Sequence, residues 1–149
     1  MITKNFKSTK AHTFLGGEKV VKERVYYLSA YLDRETMKKI EVLRLRQRAS
    51  YQRLLRMAIQ KALNDKTFYD KVAQKLEQYY ANIKYYSRGK AKVVVHVTED
   101  DFKGLAKLTE MIMKVPDLIF FERRFRALLI TTLLEEYAKE EYEKEVSSL

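Results

Sequence analysis

The sequence predicts a mostly α fold with a short two-stranded antiparallel ribbon, built from tandem strand-helix-helix units joined by a helical connector. Three observations lead there. Gly and Pro are scarce, four and one in 149 residues, which is too little turn chemistry for a β-sandwich or a disordered chain. Apolar residues make up 46% of the chain and recur mostly at three- and four-residue steps, the spacing of one helix face. One order of elements, a strand followed by two helices, occurs twice.

Residues 1–24 show no clear periodicity. They carry Lys4, Lys7, Lys10, Lys19, Lys22 and Arg24 around the pair Gly16-Gly17, and are expected to form a basic flexible arm. The first unit, 25–66, opens with Val25-Tyr26-Tyr27-Leu28-Ser29-Ala30-Tyr31-Leu32, rich in strand-favouring residues. Alternation puts Leu28, Ala30 and Leu32 on one face and Tyr27, Ser29 and Tyr31 on the other. Asp33 stands where a helix N-cap belongs, with Glu35 in the first turn. Met37, Ile40 and Leu43 then predict an amphipathic helix over 34–47. Arg48-Ala49-Ser50 interrupts it, and Ser50 caps a second helix, 51–64, whose stripe is Leu54, Leu55, Ala58, Ile59, Ala62 and Leu63.

The connector, 67–91, has Phe68, Val72, Leu76, Tyr79, Tyr80 and Ile83 at helical spacing over 67–86, then the turn Ser87-Arg88-Gly89-Lys90. The second, diverged unit, 92–149, begins with a strand at 92–97. Thr98 is its N-cap candidate, and Thr98-x-x-Asp101 is close to a capping box with Asp in place of Glu. Phe102, Leu105, Leu108 and Ile112 form the next helical stripe, and Val115-Pro116-Asp117 stops it. A long acidic helix of about 118–144 closes the unit, with Phe121, Phe125, Leu128, Leu129, Thr132, Leu133 and Tyr137 as its stripe and a solvated end from Glu135 to Glu145. Leu118-Ile119-Phe120-Phe121 exceeds what one helix face needs and is expected in the core or in an oligomer contact.

Charge narrows the function classes. Formal net charge is +10, a surplus that attracts polyanions. It is unevenly spread: residues 1–66 hold 16 Lys/Arg against 6 Asp/Glu, and residues 92–149 hold 9 against 12. The polyanion-binding face is therefore expected from the first half. No apolar run approaches the roughly 18 residues of a membrane span, and no signal-peptide stretch is seen. The expectation is a soluble, intracellular protein, in the cytoplasm or in the host cytoplasm if viral. Cys is absent, which removes disulfides, thiolate metal sites and Cys nucleophiles. Abundant Lys, Glu and Tyr without Cys is also a thermophile-like composition. No phosphate loop, dinucleotide fingerprint, zinc-protease or nucleophile-elbow motif occurs, so neither catalysis, nor a cofactor, nor a metal is expected.

A lone strand leaves its backbone N–H and C=O groups unpaired. A strand followed by two amphipathic helices must therefore find a second strand, and two such units solve the problem together. The resulting two-stranded ribbon has one face on the helices and one face free, and a β-ribbon fits the major groove of B-DNA.

On these residues the chain resembles the ribbon-helix-helix family of DNA-binding proteins (the Arc, MetJ and CopG type). The resemblance covers Tyr26 to Leu63 without a gap: Tyr-Leu-Ser-Ala-Tyr-Leu-Asp, then Met37, Ile40 and Leu43, Ala-Ser before the second helix, then Leu54-Leu55, Ala58-Ile59 and Leu63. Arg48 departs from it, since the family often has Gly in the turn between the helices. The second copy, 92–138, matches less closely, with a longer linker around Pro116. Two units in one chain make it similar to tandem regulators of archaeal viruses. The resemblance implies a transcription regulator of double-stranded DNA. Base edges would be read by Tyr27, Ser29 and Tyr31 and by the aligned Lys92, Val94 and His96. The start of the second helix, Ser50, Tyr51 and Gln52, would hold the DNA backbone through its free N–H groups, assisted by Arg53, Arg48 and Arg46.

Other readings remain open at this point. Tyr27 and Tyr31 can instead pack beneath the connector. Arg44, Arg46, Arg48, Arg53 and Arg56 can be a solvated face, and Tyr79-Tyr80 and Tyr85-Tyr86 can be packing rather than base-stacking groups. His96 has only His12 for company and implies no metal. Two other functions fit: an architectural protein that coats DNA without sequence preference, or an antitoxin-like adaptor whose acidic half captures a protein. The two strands can pair within one chain as a pseudo-dimeric monomer, or each with its like in a homodimer.

Overall fold

The computed structural model describes the backbone at residues 7–8, 12–15, 18–21, 24–114 and 123–148, and side chains at 24–114 and 125–148. In chain order the elements are β1 (Lys7–Ser8), β2 (His12–Leu15), β3 (Glu18–Val21), β4 (Arg24–Leu32), α1 (Arg34–Gln47), α2 (Tyr51–Asn64), α3 (Lys66–Ala81), β5 (Ala91–Thr98), α4 (Glu99–Met113) and α5 (Arg123–Ser147). The described chain is mostly helical, with β4 and β5 forming an antiparallel pair.

Local chemistry sets the boundaries. The Asp33 carboxylate accepts from the Thr36 N–H at 2.7 Å to start α1, and the Ser50 hydroxyl accepts from the Arg53 N–H at 3.1 Å to start α2. Asp65 accepts from Thr67 and Phe68 to start α3, and Thr98 accepts from Asp101 to start α4. Each cap satisfies an N–H that the first helical turn leaves without a partner. Arg48 ends α1 in the left-handed region, φ 50° and ψ 46°, and its N–H donates to the Arg44 carbonyl. A glycine would take this conformation without strain, and arginine takes it at a cost.

Antiparallel register joins Tyr27 to His96, Ser29 to Val94 and Tyr31 to Lys92. Tyr26, Leu28, Ala30, Leu32, Val95 and Val97 are buried beneath this pair. Two strands alone are marginal in water, and here the helices complete the core. The connections are exchanged: α1 packs chiefly against α5 and α4 against α2, while α2 and α5 pack on each other. Residues from Phe125 to Glu135 on α5 are buried all round, the state of a helix at the centre of a fold. Gly104 lets α4 approach α2, since a Cβ there would lie 2.7 Å from Ile59 Cγ2.

Several sequence expectations change. Within the segment 1–24, expected as a basic flexible arm, the described residues include three short strands: β2 pairs with β3, and β1 adds to β4 through Lys7 opposite Val25 and Ser8 opposite Arg24. The helix expected over 67–86 ends at Ala81, and residues 82–89 are a run of turns. Phe68, Val72 and Leu76 of its helical stripe are buried, and α3 packs against α2 and α5. The stop at Pro116 and the apolar run 118–121 lie outside the described residues. Asp101 does not close a capping box. Its buried carboxylate accepts from the Arg56 guanidinium at 3.1 Å, across to α2.

The largest correction concerns the acidic end of α5, expected to be solvated. Glu135 is buried, accepts from the Tyr79 hydroxyl at 2.7 Å and pairs with Lys90 at 3.3 Å. Glu140 bridges Lys61 at 2.7 Å and Lys71 at 3.0 Å, and Glu145 pairs with Arg46 at 3.7 Å. The acids clamp α1, α2 and the connector onto α5, because basic residues of those elements face them. Burial alone would raise Glu140, but the hydrogen bonds and charges of Lys61 and Lys71 hold it below its ordinary value. Burial, then the Glu135 bond, push the Tyr79 hydroxyl far above the usual phenol range, so it stays a donor.

Arg48→Gly should raise stability by about 0.5 kcal/mol by removing the left-handed strain, while Arg48→Val should lower it by about 1 kcal/mol or more; urea midpoints rank the three. Glu140 has a depressed folded pKa, so its stabilisation is present above the ordinary carboxylate value and lost as pH falls through the folded one. The wild type should therefore melt above Glu140→Gln at neutral pH, and the gap should close in acid. Thermal melts of both across pH check this.

Candidate nucleic-acid interface

Pleating turns alternate side chains of β4 and β5 away from the helices. The outward set is Tyr27, Ser29 and Tyr31 on β4, partly exposed, and Lys92, Val94 and His96 on β5, exposed. The six residues expected from sequence to read bases thus lie on one face. No carboxylate is among them. The face carries hydroxyls, an ammonium, an imidazole and the isopropyl group of Val94, which is 52% exposed. Such groups donate, accept and make apolar contact, the three kinds of interaction a major groove offers.

The two tyrosines differ. Tyr27 meets its cross-strand partner His96 edge to face, with ring centroids 4.4 Å apart. Tyr31 lies edge-on to Tyr86, 6.0 Å away, in the turn after α3. The packing alternative therefore holds in part at Tyr31, against the connector's turn rather than its helix. The backbone at that end is also anchored, since the Tyr31 N–H donates to Thr131 Oγ1 on α5 at 2.9 Å. This bond caps an otherwise open strand edge.

The second candidate group is the start of α2. Its first-turn N–H groups at Tyr51 and Gln52 have no acceptor within the helix by geometry, and the Ser50 hydroxyl serves its own helix. The Arg56–Asp101 bridge ties the N-terminal half of α2 to the residues just after β5. The start of α2 therefore lies toward the Thr98 end of the ribbon, beyond Tyr27 and His96.

The arginines divide by partner. Arg44 pairs with Glu41 at 2.9 Å and lies 5.1 Å over the Tyr51 ring. Burial, then the nearby Glu41, raise the Tyr51 hydroxyl above its ordinary value, so it remains protonated. Arg46, expected as a backbone contact, pairs with Glu145, and Arg56 with Asp101. Arg48 and Arg53 are exposed and, among the described residues, have no acidic partner within ion-pair distance. Two basic residues of the connector turn, Lys84 and Arg88, share that state, and sequence reasoning does not single them out as contacts. The run Tyr85-Tyr86-Ser87-Arg88-Gly89-Lys90 reads as a turn, but nothing in its spacing says that it adjoins the ribbon.

Among the described residues no group of three or more His, Asp or Glu could hold a metal ion, and no helix is long and apolar enough to cross a membrane. Comparison of the chain with protein-family models, with curated proteins and with solved structures finds no match.

Proposed function

We propose that this chain is a tandem ribbon-helix-helix protein that lays the outer face of the β4–β5 ribbon in the major groove of double-stranded DNA and regulates transcription by reading its sequence. The observation that carries the reading is the strand register. Ser29 stands four residues before the N-cap Asp33, and Val94 four before the N-cap Thr98. These two equivalent residues are paired with each other, so a pseudo-two-fold axis runs between them. About that axis Tyr27 corresponds to Lys92 and Tyr31 to His96, and the exchanged packing of α1 on α5 and α4 on α2 has the same symmetry. A symmetric pair of units is the arrangement by which ribbon readers address a duplex.

The same register supports a departure from symmetry. One half of the face presents Tyr27, Ser29 and Tyr31, and the other Lys92, Val94 and His96. Equivalent positions differ in donors, charge and bulk, so the preferred site need not be a palindrome. With the ribbon complete inside one chain, a single copy suffices to bind.

For the antitoxin-like alternative, Glu135, Glu140 and Glu145 are paired within the chain, while Asp100, Glu110 and Glu143 stay exposed; a pull-down with residues 92–149 separates that reading from the ribbon one. The architectural alternative is separated by experiment. Duplexes enriched from a random pool should bind the wild type more tightly than mixed-sequence duplexes. Tyr27→Ala, Ser29→Ala and Tyr31→Ala should each lower affinity for the enriched duplex by about ten- to a hundred-fold, the value of a good base contact, with far-UV circular dichroism unchanged. Three variants that all bind the enriched duplex as the wild type does would overturn the ribbon reading.

A further inference from the structure

We propose that the turn between α3 and β5, residues 82–90, is a further DNA-contacting element that grips the sugar-phosphate backbone past the Tyr31–Lys92 end of the ribbon. This rests on the ribbon reading above. Tyr86 abuts Tyr31 at the edge of the outer face, and Lys90 leads within two residues to the exposed Lys92 of that face. The turn therefore borders the groove-facing surface.

Its chemistry suits a phosphodiester chain. Lys84 and Arg88 are exposed and, among the described residues, have no acidic partner. The Arg88 guanidinium lies 4.7 Å over the ring of Tyr85, which is 55% exposed. A stacked Arg–Tyr pair keeps the donors pre-oriented and offers a hydroxyl beside them.

The turn is also held firmly. Tyr85 and Tyr86 N–H groups donate to the Asn82 carbonyl, Arg88 to Tyr85, and Lys90 to Ser87. Gly89 takes φ 73°, which a side chain would strain, with open space around it. Lys90 anchors the end: its ammonium donates to Tyr79 and Glu135 and lies 4.5 Å over the Tyr79 ring. A backbone contact made by a rigid loop loses little entropy on binding.

The two ends of the ribbon are thereby flanked differently. The start of α2 lies toward the Tyr27–His96 end, and the turn borders the Tyr31–Lys92 end. The contact that the turn adds therefore lies beyond the Tyr31–Lys92 end, and its grip is electrostatic.

The test uses the full chain, an enriched duplex, and a series of its truncations from either end. Lys84→Gln/Arg88→Gln should lower the slope of log affinity against log salt by about 2, since each phosphate left without its cation removes about 0.9. It should also remove the dependence on the outermost base pairs at one end of the duplex, leaving the other end unchanged. Lys66→Gln/Lys144→Gln removes equal charge from helix surfaces and should leave slope and end-dependence as in the wild type. If Ser29→Ala and Tyr27→Ala weaken binding while the turn variant keeps the wild-type slope and both end-dependences, the turn proposal fails and the ribbon reading stands. If the control pair lowers the slope as much as the turn pair, the local contact is refuted. If the ribbon variants change nothing, both readings fall together.

Discussion

Backbone pairing between β4 and β5 is the constraint from which the described architecture follows. Each strand is short, and its N–H and C=O groups cost free energy if buried without partners. The two strands come from segments some sixty residues apart, so everything between them must return the chain to the first strand. α5 covers the inner face of β4 and α2 that of β5, α1 packs behind on α5, α3 packs on α2 and α5, and the turn delivers β5 antiparallel to β4. One residue of slip would carry Val95 and Val97 to the solvent face and Val94 and His96 inward. The buried set Leu28, Ala30, Leu32, Val95 and Val97 therefore selects the register, and the register in turn selects which side chains face outward.

Charge distribution depends on the same closure. The basic surplus is spread over the first two thirds of the chain and the acids are concentrated near its end. Bringing α5 to the centre uses those acids against Lys61, Lys71, Lys90 and Arg46. Partly buried pairs of this kind hold elements together but do not advertise to a partner. What stays exposed and without an acidic partner, among the described residues, includes Arg48, Arg53, Lys84, Arg88 and Lys92. Of these, Lys92 lies on the outer face of the ribbon and Lys84 and Arg88 in the turn that borders it.

Local signals make much of this legible. N-cap chemistry at Asp33, Ser50 and Thr98 and periodicity across 34–47 and 51–64 are sufficient, because caps and amphipathic stripes are short-range effects. Alternation along 25–32 separates Leu28, Ala30 and Leu32 from Tyr27, Ser29 and Tyr31 for the same reason. Sequence misleads where a partner distant along the chain decides the outcome. Asp101 looks like a capping residue until Arg56 reaches it from α2. Glu135 looks solvated until Tyr79 and Lys90 close over it. Residues 82–86 continue a helical pattern, yet the chain must turn there to align β5.

The sequence by itself determined that the chain has helices with a strand-helix-helix order used twice, which strand residues share a face, and that its first half is strongly basic. Those are properties of composition and short spacing. Only the tertiary structure decided that β4 pairs with β5 inside one chain with Ser29 opposite Val94, that Glu135, Glu140 and Glu145 of α5 are paired with distant basic residues, and that the turn carrying Lys84 and Arg88 borders one end of the ribbon. Each of those depends on contacts between residues tens of positions apart, and no local pattern encodes which distant group will be there to make them.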